Sequence, residues 1–148
     1  MLLKLRQRLG RDEGFTLVEL LVVMLILGLL AAIAIPSFFS QREKAKDADA
    51  KASVRTAQTA IETFATDHNG AYTGATTADL VLIEPTLGDA GARLTVDAAA
   101  ATTYAVTVDS TVAGHEFTIT RGAGGTTNLS CIPVAGDGGC PSGGNWGD

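Results

Sequence analysis

The sequence predicts an α+β fold: a long N-terminal α-helix, hydrophobic then amphipathic, packed on a small antiparallel β-sheet, with a disulfide-bounded C-terminal loop. Three observations carry this. An apolar run extends unbroken from Leu20 to Ile35. A stripe at helical spacing follows it in Ala50, Val54, Ala57, Ile61 and Phe64. Two short segments, Tyr104–Val108 and Glu116–Thr120, alternate in the manner of half-buried strands.

The chain has 148 residues and a formal charge of −5. That length allows one modest domain plus an anchor. Four divisions follow: 1–14 as a leader, 15–39 as a hydrophobic helix, 40–70 as an amphipathic helix and 71–148 as a globular head. The leader holds Lys4, Arg6, Arg8 and Arg11 against Asp12 and Glu13, a net of +2. Beyond it lie seven of the 11 basic and 14 of the 16 acidic side chains, so the remainder carries −7. An acidic body repels phosphate backbones, which argues against direct nucleic-acid binding.

From Phe15 to Phe39 the chain is long enough, as a helix of about 1.5 Å rise per residue, to span a bilayer core of about 30 Å. Eleven of the 16 residues from Leu20 to Ile35 are Leu, Ile or Val. At roughly −0.3 to −0.6 kcal/mol each they favour insertion by about 3–7 kcal/mol. Glu19 at the edge of the run opposes this by at most about 3 kcal/mol. Insertion wins, and a carboxylate at membrane depth becomes a functional candidate that needs a partner. Basic residues flank both ends of the span, with Arg42, Lys44, Lys46, Lys51 and Arg55 following it. Loop charge alone therefore leaves orientation open. Ala32-Ile33-Ala34 also fits a signal-peptidase site, the reading in which residues 1–34 are a discarded secretory signal. Glu19 and the length of the run argue against it.

Past Pro36 the helix is expected to continue to about His68, with Asn69-Gly70 as its stop. Pro36 lacks an N–H and crowds the preceding turn, and Gly28 is a second weak point, so a kink or local opening is expected there. Arg42, Glu43, Lys44, Lys46, Asp47 and Asp49 read as a solvated face, with pairing between subunits as the sharper alternative. Residues 72–91 read as a loop with a short helix near Thr77–Ile83. Leu94-Thr95-Val96 is a third candidate strand, and Tyr104, Val106, Val108, Phe117 and Ile119 are core candidates.

From Arg121 onward the Gly-rich tail reads as a loop in need of a staple. A Cys131–Cys140 disulfide would close about ten residues, worth roughly 2.5–3 kcal/mol by chain entropy. Two cysteines without a neighbouring histidine make no zinc signature, so no metal is expected. Trp146 either packs under this loop or stands exposed. The stretch Gly122–Thr127 lacks the lysine of a phosphate-binding loop, and no cofactor is expected. His68 and His115 lack catalytic neighbours in sequence and read as surface or capping residues. Asn128-Leu129-Ser130 has sequon spacing. Asp89, Asp97, Asp109 and Asp137 offer calcium oxygens without EF-hand spacing. No catalytic constellation emerges.

The segment Gly14-Phe15-Thr16-Leu17-Val18-Glu19-Leu20-Leu21-Val22-Val23, with Pro36 closing the span, resembles the N-terminus of type IV pilins and type II secretion pseudopilins. The likeness is dense over residues 10–40, thinner along the helix to Tyr72, and faint beyond. It implies cleavage after Gly14 by a prepilin peptidase and N-methylation of Phe15. It also implies pairing of Glu19 with the Phe15 amine of a neighbouring subunit, and unwinding between Gly28 and Pro36 when subunits pack. The implied partners are further copies of the chain, the peptidase, an inner-membrane platform with its assembly ATPase, and lipid before assembly. The implied location is the cytoplasmic membrane, N-terminus inside, and then an extracellular filament. A disulfide-bounded C-terminal region is common in that family. Pilin is favoured over pseudopilin because the cysteine pair suits exposure outside the cell. The rival from another class is a membrane-tethered or secreted binding module.

Overall fold

The computed structural model describes residues 14–134, 136 and 138–147, so residues 1–13 of the expected leader 1–14 and Asp137 lie outside the described residues. The chain divides into two compact units, the first ending at Phe38 and the second starting at Phe39. Helix α1, Leu17–Asp67, runs through both.

In the first unit α1 is apolar all round, and no described residue from Gly14 to Phe38 is buried. Leu17, Met24, Leu25 and Ile33 are each more than two-thirds exposed. Among the described residues α1 is the one helix long and apolar enough to cross a membrane. It passes through Gly28 and Pro36 without interruption. Among the described residues of the isolated chain, then, no break in the helix marks either position.

In the second unit the character of α1 changes. Its buried residues are Asp47, Ala50, Val54, Ala57, Ala60, Ile61, Phe64 and Ala65, which contains the whole of the expected stripe. Four of the eight are alanine, so the facing sheet can approach the helix backbone closely. The helix stops where Asn69 turns left-handed at φ 57° and the Gly70 N–H reaches back to the Ala65 carbonyl at 2.7 Å.

A short helix α2, Thr77–Ile83, follows. Thr76 caps it by accepting from the Asp79 N–H, while Asp79 accepts from the Thr76 N–H in return. Two 3-10 turns, Pro85–Asp89 and Gly91–Arg93, lead into the sheet.

The sheet has four antiparallel strands in sequence order: β1 Leu94–Ala99, β2 Tyr104–Asp109, β3 Glu116–Arg121 and β4 Thr127–Ile132. Val106 stands opposite Ile119, and Val108 opposite Phe117. These four and Tyr104 are buried with the α1 stripe in one apolar cluster, as alternation required. The fourth strand corrects the reading of the tail as a loop. Gly122–Thr126 is the hairpin turn between β3 and β4, with the Gly122 N–H bonded to the Thr126 carbonyl and Gly125 at φ 79°. The edge of β4 is covered in turn by the C-terminal segment, through Cys131 N–H to Gly144 O and Trp146 N–H to Leu129 O. Trp146, itself part of this segment, is buried. Its ring stands edge-on to Phe117, and its Nε1 donates to the Ser130 carbonyl at 2.9 Å.

Because Ile61 is fully buried at the centre of this cluster, Ile61→Ala should destabilise the head by about 2–5 kcal/mol. Chemical denaturation of the full chain in detergent, followed by Trp146 fluorescence, measures it.

Candidate functional site

The first site is the start of α1. Gly14 and Phe15 precede the helix and are exposed. Thr16 is its cap: the hydroxyl accepts from the Glu19 N–H at 3.2 Å. The Glu19 carboxylate reaches back to the Thr16 N–H at a long 3.5 Å. The arrangement is a capping box, Thr followed three residues later by Glu. Its signature, Thr16 followed three residues later by Glu19, is local and present in the sequence. In the isolated chain, then, Glu19 has a structural task within its own helix, and its side chain is exposed.

The second site joins α1 to the disulfide loop. Cys131 and Cys140 are bonded, with an S–S distance of 2.03 Å, as expected. Asp47 is fully buried beside this loop, which corrects its placement on a solvated face. One of its oxygens, Oδ2, accepts from the Gly139 N–H at 2.7 Å and from His115 Nδ1 at 2.9 Å. His115 is itself buried, so its reading as a surface residue is corrected as well. His68 keeps that reading: it is exposed, stacked on Phe64 at 3.7 Å. One helical turn after Asp47, the Lys51 ammonium donates to the Gly139 carbonyl. The two side chains thus hold both polar groups of Gly139, next to the cystine.

Glycine is required at this point. A Cβ on Gly139 would stand 2.7 Å from Asp47 Cβ. A Cβ on Gly138, which sits at φ 56°, would collide with Asp47 Oδ2 and lie 2.7 Å from His115 Cε1. Sequence could not reveal the clamp. Its members are separated by 68 and 92 positions, as the intervals in the two hydrogen bonds show.

Burial alone would raise the Asp47 pKa. The Ser110 hydroxyl, the Gly139 N–H and His115 together outweigh it and hold the carboxyl below its ordinary value. Of the groups that lower it, the Ser110 hydroxyl acts most strongly, followed by the Gly139 N–H and His115; Oδ1 has no hydrogen-bond partner among the described residues. Burial lowers the Lys51 pKa, opposed by Asp47 and assisted by Arg55.

A second polar group ties α1 to the sheet. Glu62 accepts from Tyr72 at 2.7 Å, Tyr104 at 3.0 Å and Arg121 at 2.9 Å. Burial and then the contact with Glu62 raise both tyrosine pKa values, so the phenols stay protonated donors. Among the described residues, no three His, Cys, Asp or Glu side chains gather as a metal site.

The sign of the Asp47 shift fixes a pH dependence. A carboxyl depressed in the folded state contributes stability above its unfolded pKa of about 3.9 and loses it as pH falls through the folded value. Acid titration of the full chain in detergent, read by its single tryptophan, should show a loss of head stability below about pH 4. Asp47→Asn should be less stable at neutral pH and lack that part of the acid limb. An acid limb identical in the variant would refute the assignment.

The family model described as the prokaryotic N-terminal methylation motif matches residues 9–35. The chain is 44% identical over 54 residues to the type IV major pilin protein PilA of Myxococcus xanthus, covering 36% of this chain and 24% of that protein. It is 33% identical over 76 residues to the type II secretion system core protein G of Aeromonas hydrophila, covering 51% and 53% of the two chains. Thus it spans about a quarter of the first relative and half of the second. With the type IV wide pilus major component PilA4 of Thermus thermophilus it shares 31% identity over 124 residues, 84% of each chain. No solved structure matches significantly. The motif at the start of the helix, the helix-on-sheet fold and the likeness along most of the Thermus chain agree: this protein belongs to the type IV pilin and pseudopilin family.

Proposed function

We propose that the chain is a structural subunit of a type IV pilus-like filament rather than an enzyme. It is made as a membrane-inserted precursor, cut after Gly14, methylated on the new Phe15 amine, and polymerised through α1. The observation that carries this reading is the uncovered apolar surface of α1 from Leu17 to Phe39, headed by one acidic residue. A bilayer satisfies that surface in the precursor, and the same surface on other copies satisfies it in the filament. Orientation follows: the basic leader stays cytoplasmic, where a prepilin peptidase acts, and the disulfide-bearing head lies outside. An inner-membrane platform and assembly ATPase supply the extraction step.

Cleavage gives Glu19 its second task. It creates an α-amine with an ordinary pKa of about 8, charged at neutral pH. Taken into an apolar filament core, an ammonium or a carboxylate alone costs several kcal/mol, and pairing offsets much of it. Glu19 therefore releases its long bond to Thr16 and meets the Phe15 amine of a neighbour, which sets the axial register. Gly28 and Pro36 are the positions at which α1 opens as copies pack. The alternative, a type II secretion pseudopilin, is supported by the likeness to core protein G. The more extensive likeness to a pilus component favours the pilus.

Mass spectrometry of the mature N-terminus should find methylated Phe15. A chain beginning after Ala34, or retaining its leader, would sink the proposal. Glu19→Gln separates the two tasks of the residue, since glutamine still closes a capping box but carries no charge. Both Glu19→Gln and Glu19→Ala should insert in the membrane normally and lose filament yield to a similar extent. Wild-type yield from the glutamine variant would show that register does not depend on the charge.

A further inference from the structure

The two cysteines of the chain form one bond, and both are buried within the apolar cluster of the head, Cys131 at 5% and Cys140 at 2% exposed. A thiol must reach a sulfur to break such a bond. Access is therefore set by whatever holds the surrounding backbone in place.

The two sulfurs are held by different fasteners. Cys131 lies within β4 opposite Phe117, and its N–H donates to the Gly144 carbonyl at 2.8 Å. Beyond Gly144 the segment is fixed to β4 again by Trp146, through its N–H to Leu129 and its Nε1 to Ser130. Cys140 lies outside the strands and helices. Gly139, directly before it, is bound on both of its polar groups by α1. Asp47 accepts from its N–H at 2.7 Å, and Lys51 donates to its carbonyl.

Both α1 side chains are themselves held in position. His115 Nδ1 stands 2.9 Å from Asp47 Oδ2. The Lys51 ammonium lies 5.3 Å from the centre of the Phe117 ring and 5.8 Å from that of Trp146. Hydrogen bonds to charged groups are among the stronger ones, and here two of them converge on one loop residue. A loop residue has no ladder of repeating bonds to replace them.

We infer that Asp47 and Lys51 form a latch on the disulfide: while they hold Gly139 the Cys131–Cys140 bond is closed to thiols, and when they release it the loop opens locally and the bond becomes reducible with the sheet still folded. The reaction admitted is a two-electron exchange with a dithiol. One thiolate of the dithiol attacks Cys140 Sγ and forms a mixed disulfide, while the S–S bond breaks and its electron pair leaves on Cys131. The second thiolate then attacks the dithiol's own sulfur in that mixed disulfide, which closes the dithiol as a disulfide and releases Cys140. The two protons of the dithiol end on the two cysteines. Such coupling is reciprocal. The intact disulfide keeps Gly139 against α1, and reduction loosens its hold on Asp47.

The test incubates the full chain in detergent with dithiothreitol at several urea concentrations below the unfolding transition. Free thiols are trapped by alkylation and counted on Cys131 and Cys140 by mass spectrometry. The wild type should be reduced slowly, at a rate that climbs steeply with urea because exposure requires extensive unfolding. Asp47→Ala and Lys51→Met should be reduced about tenfold faster or more without urea, as loss of a hydrogen bond to a charged group implies. Their rates should depend little on urea, as a local opening requires. Lys51→Met keeps an apolar stem, so it carries the test if Asp47→Ala fails to fold. Ile61→Ala, which weakens the core and leaves the latch residues in place, should retain the steep dependence. Rapid reduction of the wild type, wild-type rates in Lys51→Met, or an acceleration that keeps the steep urea dependence would each overturn the latch.

Discussion

One imbalance governs this chain: the N-terminal part of α1 has its apolar side chains exposed among the described residues. From Gly14 to Lys46 no described residue is buried, although this stretch contains the longest run of large aliphatic side chains in the sequence. Burying apolar surface is worth about 25 cal/mol per Å², so leaving a whole helical cylinder of it in water is untenable. A bilayer or other copies of the chain must cover it. The polar features at its N-terminal end, Thr16 and Glu19, are therefore best understood as conditions on how that covering happens. The capping box lets the helix start without unsatisfied N–H groups while the chain is alone. A carboxylate can make directional interactions of the kind that non-directional apolar packing lacks.

The head meets a different shortage. Its side of α1 is built largely from alanine, and small side chains bury little area each. The fold compensates by tying elements together through polar groups with several partners. Glu62 joins the helix to Tyr72, Tyr104 on β2 and Arg121 on β3. Asp47 joins it to the β2–β3 turn through His115 and to the disulfide loop through Gly139. Such networks stabilise only when nearly all of their members are satisfied, which explains why Gly138 and Gly139 lack side chains where the loop meets Asp47.

How far the sequence revealed this depends on the range of each interaction. The apolar run, the helical stripe, α2 and strands β1 to β3 were legible because each has its own periodicity or end signals over a few residues. The strand Thr127–Ile132 was not, since Asn128 and Ser130 dilute the apolar alternation and a glycine-rich turn precedes it. Its identity comes from its partner: Leu129 and Cys131 stand opposite Ile119 and Phe117. Asp47 was misread for a related reason. Within α1 it sits among charges that are mostly exposed, and only the distant His115 and Gly139 make its burial tolerable. The start of α1 was the reverse case, a local signal present in full whose capping role was masked by the prominence of its charge.

The same distinction separates the two ways in which the chain meets its surroundings. The N-terminal segment is a local pattern, so a family motif can describe it within residues 9–35. The clamp around Gly139 arises from long-range contacts, which a short motif cannot encode. A chain can keep the first and vary the second without altering how it enters a membrane. The N-terminal motif is then one level of the sequence, and the surface that the head folds from distant residues is another. The Asp47 clamp connects these levels physically. By fixing the loop that ends at Cys140, it helps hold the chain after β4 in place and so determines which side chains the outer edge of the sheet presents.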